Sequence, residues 1–179
     1  MVCDRCKASV ISILRAYKIP YKSVNLGVVI LERPLDAIEL EKLDVEFLKV
    51  GFRLLYDEDE QLANRIKSII IEGIYSEEGF TGRNLSEVLS SNLAYDYAGL
   101  SVLFKKIEGL SIEKFSSNLK IERTKELLEY GELNINEIAA AIGYNSVSYF
   151  CAKFKKETGL TPSSYRKRHF RDRKGIDAI

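Results

Sequence analysis

The sequence predicts an α+β chain in two parts, a small mixed unit of helices and strands over residues 1–57 and an all-α unit over residues 58–179. Three observations carry that expectation. Residues 21–33 hold a β-branched run interrupted at Gly27, the mark of two short strands meeting at a turn. From Asp57 onward apolar residues recur at helical spacing, with short turns at Gly109, Gly131, Gly143 and Gly159 and no comparable strand signal. The phrase Phe104-Lys105-Lys106-Ile107-Glu108-Gly109 also returns almost unchanged as Phe154-Lys155-Lys156-Glu157-Thr158-Gly159, fifty residues further on.

Each element follows from its residues. Asp4 to Ala16 carries Val10, Ile13 and Leu14 in an i, i+3, i+4 pattern that makes a helix, closed by Pro20. After the two strands, Pro34 and Asp36 open a second helix with an apolar face of Ile38, Leu40, Leu43 and Phe47, and Phe52 to Tyr56 reads as a final strand. The second part begins where Asp57, Glu58, Asp59 and Glu60 set negative charge at a helix amino terminus, ahead of a buried face of Leu62, Ile66, Ile69, Ile70 and Ile74. Asn84-Leu85-Ser86-Glu87 has the spacing of a cap with a reciprocal glutamate, and Leu85, Val88, Leu89 and Leu93 follow as its core side.

Composition narrows the class. At 179 residues and 46% apolar content the chain is long enough for one ordinary core or two small ones. It has no run of eighteen apolar residues and no basic-then-apolar leader, so it is read as cytoplasmic, with no membrane as a partner. Cys3, Cys6 and Cys151 are too few and too unevenly placed for a disulfide framework, which fits a reducing compartment. The net charge of +1 hides an asymmetry: residues 150–179 hold nine Lys or Arg against three Asp or Glu. Such a basic end is most often only a solvated one, but beside a nucleic-acid-binding unit it attracts phosphate.

The strongest motif starts at Ile135. Ile135, Ile138, Ala139 and Ile142 share one side of a helix that stops at Gly143, a residue free to take the left-handed conformation of a tight turn. The alanines at 139–141 leave room for a second helix to cross closely. That helix, Ser146 to Glu157, buries Phe150 and Phe154 four residues apart. Two helices joined by a short glycine turn form a helix-turn-helix, whose second helix enters a major groove about 12 Å wide.

A longer pattern runs through this region. Ile138-Ala139, Gly143-Tyr144, Ser148-Tyr149-Phe150, Phe154-Lys155-Lys156, Gly159, Thr161-Pro162-Ser163 and Tyr165-Arg166 resemble, in order and spacing, the signature of the AraC/XylS family of bacterial transcription regulators. Leu85-Ser86-Glu87-Val88-Leu89, Leu100-Ser101, Phe104-Lys105-Lys106 and Gly109-Leu110-Ser111 resemble the family's preceding unit, and Ile112 to Glu129 its long connecting helix. The resemblance covers roughly residues 60 to 174 and implies double-stranded DNA as partner, with RNA polymerase or another protein as a further one.

It also implies base-reading positions near the start of each second helix, here Ala98, Ser101 and Val102 in one unit and Val147, Ser148, Cys151 and Ala152 in the other. Tyr97, Lys105, Lys153, Lys155 and Arg166 fall where phosphates are held. For the lysines a plain solvated surface is an equal reading, and for Phe104, Phe150 and Phe154 the reading is core packing. The chain departs from the family at the readers. Only the serines offer a base a hydrogen bond, and none makes the bidentate pairs worth about 1–3 kcal/mol of discrimination each. Readout is therefore expected to lean on phosphates, thymine methyls and DNA shape.

At the other end, Met1-Val2-Cys3-Asp4-Arg5-Cys6 sets two thiols three residues apart, a spacing that brings both within reach of one soft ion such as Cu(I) or Zn(II). Metal binding, an inherited but unused pair, and redox chemistry all stand as readings of Cys3 and Cys6. Met-x-Cys-x-x-Cys ahead of helix, hairpin, helix and strand resembles a heavy-metal-associated domain, which implies a small ferredoxin-like fold followed by the all-α double helix-turn-helix. The family's central first strand precedes its cysteines and is missing here. Its loss leaves exposed edges and a thin core, so the expectation is a truncated amino terminus or a strand supplied by a neighbouring molecule.

Two functions follow. The leading one is a transcription regulator, responsive to a metal or partner through residues 1–57. The other is a protein-interaction module that reuses the helix-turn-helix scaffold with little sequence-specific DNA binding. An enzyme is the weakest class: the only histidine, His169, lies in the basic tail, and no nucleophile or carboxylate constellation with a base partner is visible.

Overall fold

The computed structural model describes residues 4–76 and 83–172. Helix α1 (Asp4–Ala16) has Asp4 in its first turn and Arg15 in its last, as the helix dipole favours, and buries Val10 and Leu14. Strands β1 (Tyr21–Asn25) and β2 (Val28–Leu31) pair antiparallel, with Val24 opposite Val29 and Asn25 opposite Val28. Gly27 turns between them at φ +71°, where a side chain is disfavoured. Helix α2 (Ala37–Lys49) starts in a full capping box: Asp36 accepts from the Glu39 amide, and the Glu39 carboxylate accepts from the Asp36 amide. Val10, Leu14, Ile19, Leu43 and Phe47 form the core of this unit, with Phe52 and Leu54 packed against it.

The rest of the described chain is helical: α3 (Glu58–Tyr75), α4 (Leu85–Leu93), α5 (Tyr97–Glu108), α6 (Ile112–Tyr130), α7 (Ile135–Ala141), α8 (Val147–Thr158) and α9 (Pro162–Asp172). Two separate cores form around them. The first gathers Leu62, Ile66 and Ile70 of α3 with Leu89, Leu100, Phe104 and Ile112. The second gathers Ile121 and Leu128 of α6 with Ile138, Ala139, Phe150 and Phe154. Helix α6 therefore belongs to both, packing Phe115 and Leu119 into one and Ile121 and Leu128 into the other. A single helix sunk in two cores fixes the units relative to each other, because neither moves without exposing its apolar share of α6.

Helix α3 also holds the amino-terminal unit. The Asn64 amide donates to the Gly27 carbonyl at 3.1 Å, Gln61 to the Leu55 carbonyl at 2.6 Å, and Arg53 pairs with Glu60 at 3.1 Å. Lys67 also pairs with Glu108 and Lys106 with Asp59, which tie α3 to α5.

Four expectations are corrected. Residues 52–56, expected as a strand, join no ladder, so the sheet among the described residues has two strands and the ferredoxin-like sheet is not formed there. Their amides are partly diverted: that of Phe52 donates to the Phe47 carbonyl and that of Leu54 to the Asp44 carboxylate. Ile38 is 63% exposed, since the core side of α2 is set by Leu43 and Phe47. Asn84 makes no cap bond to its helix; its amide reaches the Glu87 carboxylate at 3.5 Å instead. Only Ala139 of the three alanines meets α8 in the core, while Ala140 and Ala141 are exposed.

Candidate nucleic-acid interface

Helices α5 and α8 are the second helices of the two units, and the fifty-residue repeat extends well beyond the phrase that first shows it. Asp96 caps α5 by accepting from the Gly99 amide, and Ser146 caps α8 by accepting from the Tyr149 amide. Leu100 and Phe104 lock α5 into one core, as Phe150 and Phe154 lock α8 into the other. Gly109 and Gly159 end the two helices at φ +73° and +80°. Ser111 and Thr161 then cap the next helices with their hydroxyls.

With the inner faces anchored, the outer faces are fixed. Ala98, Ser101, Val102 and Lys105 lie at i, i+3, i+4 and i+7 and make one stripe along α5. Ser148, Cys151, Ala152 and Lys155 make the same stripe along α8. Ala98, Lys105, Ser148, Ala152 and Lys155 are exposed, Ser101 and Cys151 half-buried, and Val102 is 72% exposed. Val147, the first residue of α8, is exposed beside its stripe. Small side chains let a surface approach each helix closely, and the lysine closes each stripe at its carboxy-terminal end. Lys105 and Lys155 form no ion pair among the described residues, so their charge is available to an anion.

The remaining residues assigned to phosphate are placed differently. The Tyr97 hydroxyl donates to the Glu113 carboxylate of α6. Burial, and then that bond, push the Tyr97 pKa up, while the same bond holds the Glu113 carboxyl below its ordinary value. Arg166 turns inward, donating to the Leu133 carbonyl at 2.6 Å, with its Nε buried and unbonded. Lys153 is half-buried and sits 3.4 Å from Glu157, which also holds Lys114. Tyr97 and Arg166 thus fasten the two units to the chain that follows or precedes them. Two exposed groups were missed: Tyr149, 61% exposed at the start of α8, and Lys156 beside Lys155. Tyr149 carries a readable signal, since it precedes the buried Phe150 and so points off the core.

Behind the stripe of α8, Tyr144 packs on Phe150 with ring centroids 5.4 Å apart, and the Lys120 ammonium sits 5.0 Å from the Tyr144 ring centre. Burial lowers the Lys120 pKa and raises that of Tyr144. Tyr165 donates to Glu129 at 2.9 Å, and burial, followed by that bond, pushes its pKa up to about 12. These contacts stiffen the support under α8.

At the amino-terminal end, Cys3 lies outside the described residues and Cys6 is half-buried on α1. No group of three or more His, Cys, Asp or Glu gathers among the described residues, which do not include Cys3. The basic tail beyond Asp172 also lies outside them, as does the side chain of His169.

Paired helix-turn-helix units on one connecting helix define a tandem helix-turn-helix protein. Residues 89–168 match the family described as "Helix-turn-helix domain". The chain is 38% identical over 72 residues to the HTH-type transcriptional activator RhaR of Yersinia pseudotuberculosis, covering 40% of this chain and 25% of that protein. It is 27% identical over 121 residues to the uncharacterized HTH-type transcriptional regulator YdeC of Bacillus subtilis, covering 65% of this chain and 40% of that protein. Among solved structures, the C-terminal domain of AraT, a response regulator from Geobacillus stearothermophilus, superposes with a TM-score of 0.54 at 27% identity over 63% of this chain and 88% of that one. Over its carboxy-terminal part the chain is thus similar to helix-turn-helix transcription regulators. The chain spans only a quarter to two-fifths of the length of these curated relatives. No helix among the described residues is long and apolar enough to cross a membrane.

Proposed function

We propose that the protein is a DNA-binding transcription regulator of the AraC/XylS type. The observation that supports it best is the repeat of one stripe on α5 and α8, each made of small side chains and ending in a lysine that forms no ion pair among the described residues, with α6 holding both. A stripe at the end of each unit, fixed in spacing, is what two successive visits to one face of a duplex require. Ala98, Val102, Val147 and Ala152 offer methyl contacts, Ser101 and Ser148 single hydrogen bonds, and Lys105 and Lys155 phosphate contacts. Sequence preference is modest and carried largely by DNA shape.

Residues 58–179 form the DNA-binding part in this reading, and residues 1–57 a unit whose state is passed on through α3, since Asn64, Gln61 and Glu60 all bond to it. A Cu(I) or Zn(II) ion held by Cys3 and Cys6 is the metal form of that response. The test is selection of bound fragments from a random DNA pool, with and without Cu(I) or Zn(II). Enrichment of a motif is expected. Equal affinity for random and genomic DNA at physiological salt defeats the regulator reading, and identical profiles with metal defeat the response.

A further inference from the structure

Helix α2 turns one side into the core of its unit and leaves the other bare. Leu43 and Phe47 are buried, whereas Ile38, Val45 and Leu48, which point away from them, are 63%, 49% and 58% exposed. Ile38 and Val45 stand seven residues apart and so line up along the outer face. Glu41 and Lys42 lie between them, both exposed and neither in an ion pair among the described residues. Neighbours in a helix do not face each other, so these two do not neutralise one another. No Lys or Arg lies three or four residues from Glu41. The carboxylates at that spacing from Lys42 are engaged elsewhere, Glu39 by Arg33 and Glu46 by Lys49 and the Tyr17 hydroxyl. A shallow recess of about 260 Å³ between Tyr17 and Ile38, Glu41, Lys42 and Val45 leaves room for a partner's side chains.

We propose that this face joins two copies of the chain, with α2 of each lying parallel to the other about a two-fold axis that runs along the helices. Charge selects the occupant. Glu41 and Lys42 are about 100° apart around the helix, on opposite flanks of the line from Ile38 to Val45. A two-fold axis along the helices sets opposite flanks together. Ile38 and Val45 then meet their own copies, and each Glu41 meets the Lys42 of the second copy, twice in every pair. An antiparallel pair sets like flanks together instead, with Glu41 on Glu41 and Lys42 on Lys42, which like-charge repulsion disfavours. The face is thus its own complement in one orientation.

One helix face is well short of the roughly 800 Å² per partner found in stable complexes, so the pair is weak, with a dissociation constant on the order of 10 μM to 1 mM. DNA that holds two copies close raises their effective concentration and makes binding at neighbouring sites cooperative. That consequence rests on the DNA-binding reading; the contact itself does not.

The test is sedimentation equilibrium of the full chain without DNA, from about 10 μM to 1 mM at physiological salt, where a reversible monomer–dimer equilibrium is expected. Glu41→Lys and Lys42→Glu should each weaken it by roughly tenfold, because the two-fold axis turns two attractions into two repulsions. An equimolar mixture of these two variants should pair as tightly as the unchanged chain, and a chain carrying both changes should recover its pairing. Val45→Asp should abolish it. All three positions are exposed, so circular dichroism should show every variant folded. A chain that stays monomeric throughout overturns the proposal, and is the outcome if a different protein covers this face. Self-association that the single exchanges leave unchanged, or that the double exchange fails to restore, overturns it as well.

Discussion

Gly27→Ala is the sharpest probe of how the amino-terminal unit is joined to the rest. Gly27 sits at φ +71°, and a Cβ built on it lies 2.3 Å from the Asn64 amide nitrogen and 2.7 Å from the Ser68 hydroxyl. Alanine in the left-handed region costs about 1–2 kcal/mol by itself. Asn64 must then swing away and lose its 3.1 Å bond to the Gly27 carbonyl, which adds about 0.5–1.5 kcal/mol. The expected loss is about 2–3 kcal/mol. Gly51 is the control: it has φ +80° with nothing within 4 Å of its Cβ, so Gly51→Ala incurs the conformational cost alone, about 1–2 kcal/mol. The chain has no tryptophan, so urea unfolding is best followed by far-ultraviolet circular dichroism, where 2 kcal/mol moves the midpoint by roughly 1 M. If the two variants agree within about 0.5 kcal/mol, the hairpin is not pressed on α3 and the reasoning fails. Asn64→Ala in the Gly27→Ala background should recover part of the difference, because it removes the clash.

Other outcomes follow from single contacts. Asn134 accepts from the amides of Asn136 and Glu137 and closes a capping box, so Asn134→Ala should lower stability by about 1 kcal/mol, whereas Asn84→Ala, which removes no cap bond, should be nearly silent in the same denaturation assay. The Arg33 guanidinium, and then the Asp36 amide, hold the Glu39 carboxyl down at about 2. A depressed carboxylate contributes its stability in full above its unfolded value near 4.5 and loses it as pH falls through about 2. Wild type and Glu39→Gln should therefore converge in stability across that acid window and differ at neutral pH. On DNA, replacing both Lys105 and Lys155 with alanine should lower the salt slope of binding by about 1.8 if each holds one phosphate, measured by fluorescence anisotropy between 50 and 200 mM salt. An unchanged slope removes both from the interface.

Local pattern was enough for much of this molecule. The helical spacing of Leu62, Ile66, Ile70 and Ile74, the glycine stops at Gly109 and Gly159, and the repeat of Phe104-Lys105-Lys106 as Phe154-Lys155-Lys156 depend on neighbours within a turn or two, and all appear where the sequence sets them. The stripes on α5 and α8 were legible for the same reason, since burial of Phe104 and Phe154 dictates which side faces out.

What failed to show in the sequence depends on partners far along the chain. Tyr97 looks free to meet a phosphate until α6 brings Glu113 to its hydroxyl, sixteen residues on, and Arg166 until it meets the Leu133 carbonyl thirty-three residues back. Residues 52–56 have the composition of a strand, but a strand exists only when a second backbone lies alongside, and none pairs with them among the described residues. The sequence alone determined an α+β chain with two helix-turn-helix units and the outward faces of their second helices. Tertiary structure decided which polar side chains remain available on those faces and that the small sheet has two strands among the described residues, because hydrogen bonds and strand pairs are made by whatever the fold brings close, and sequence spacing does not encode that.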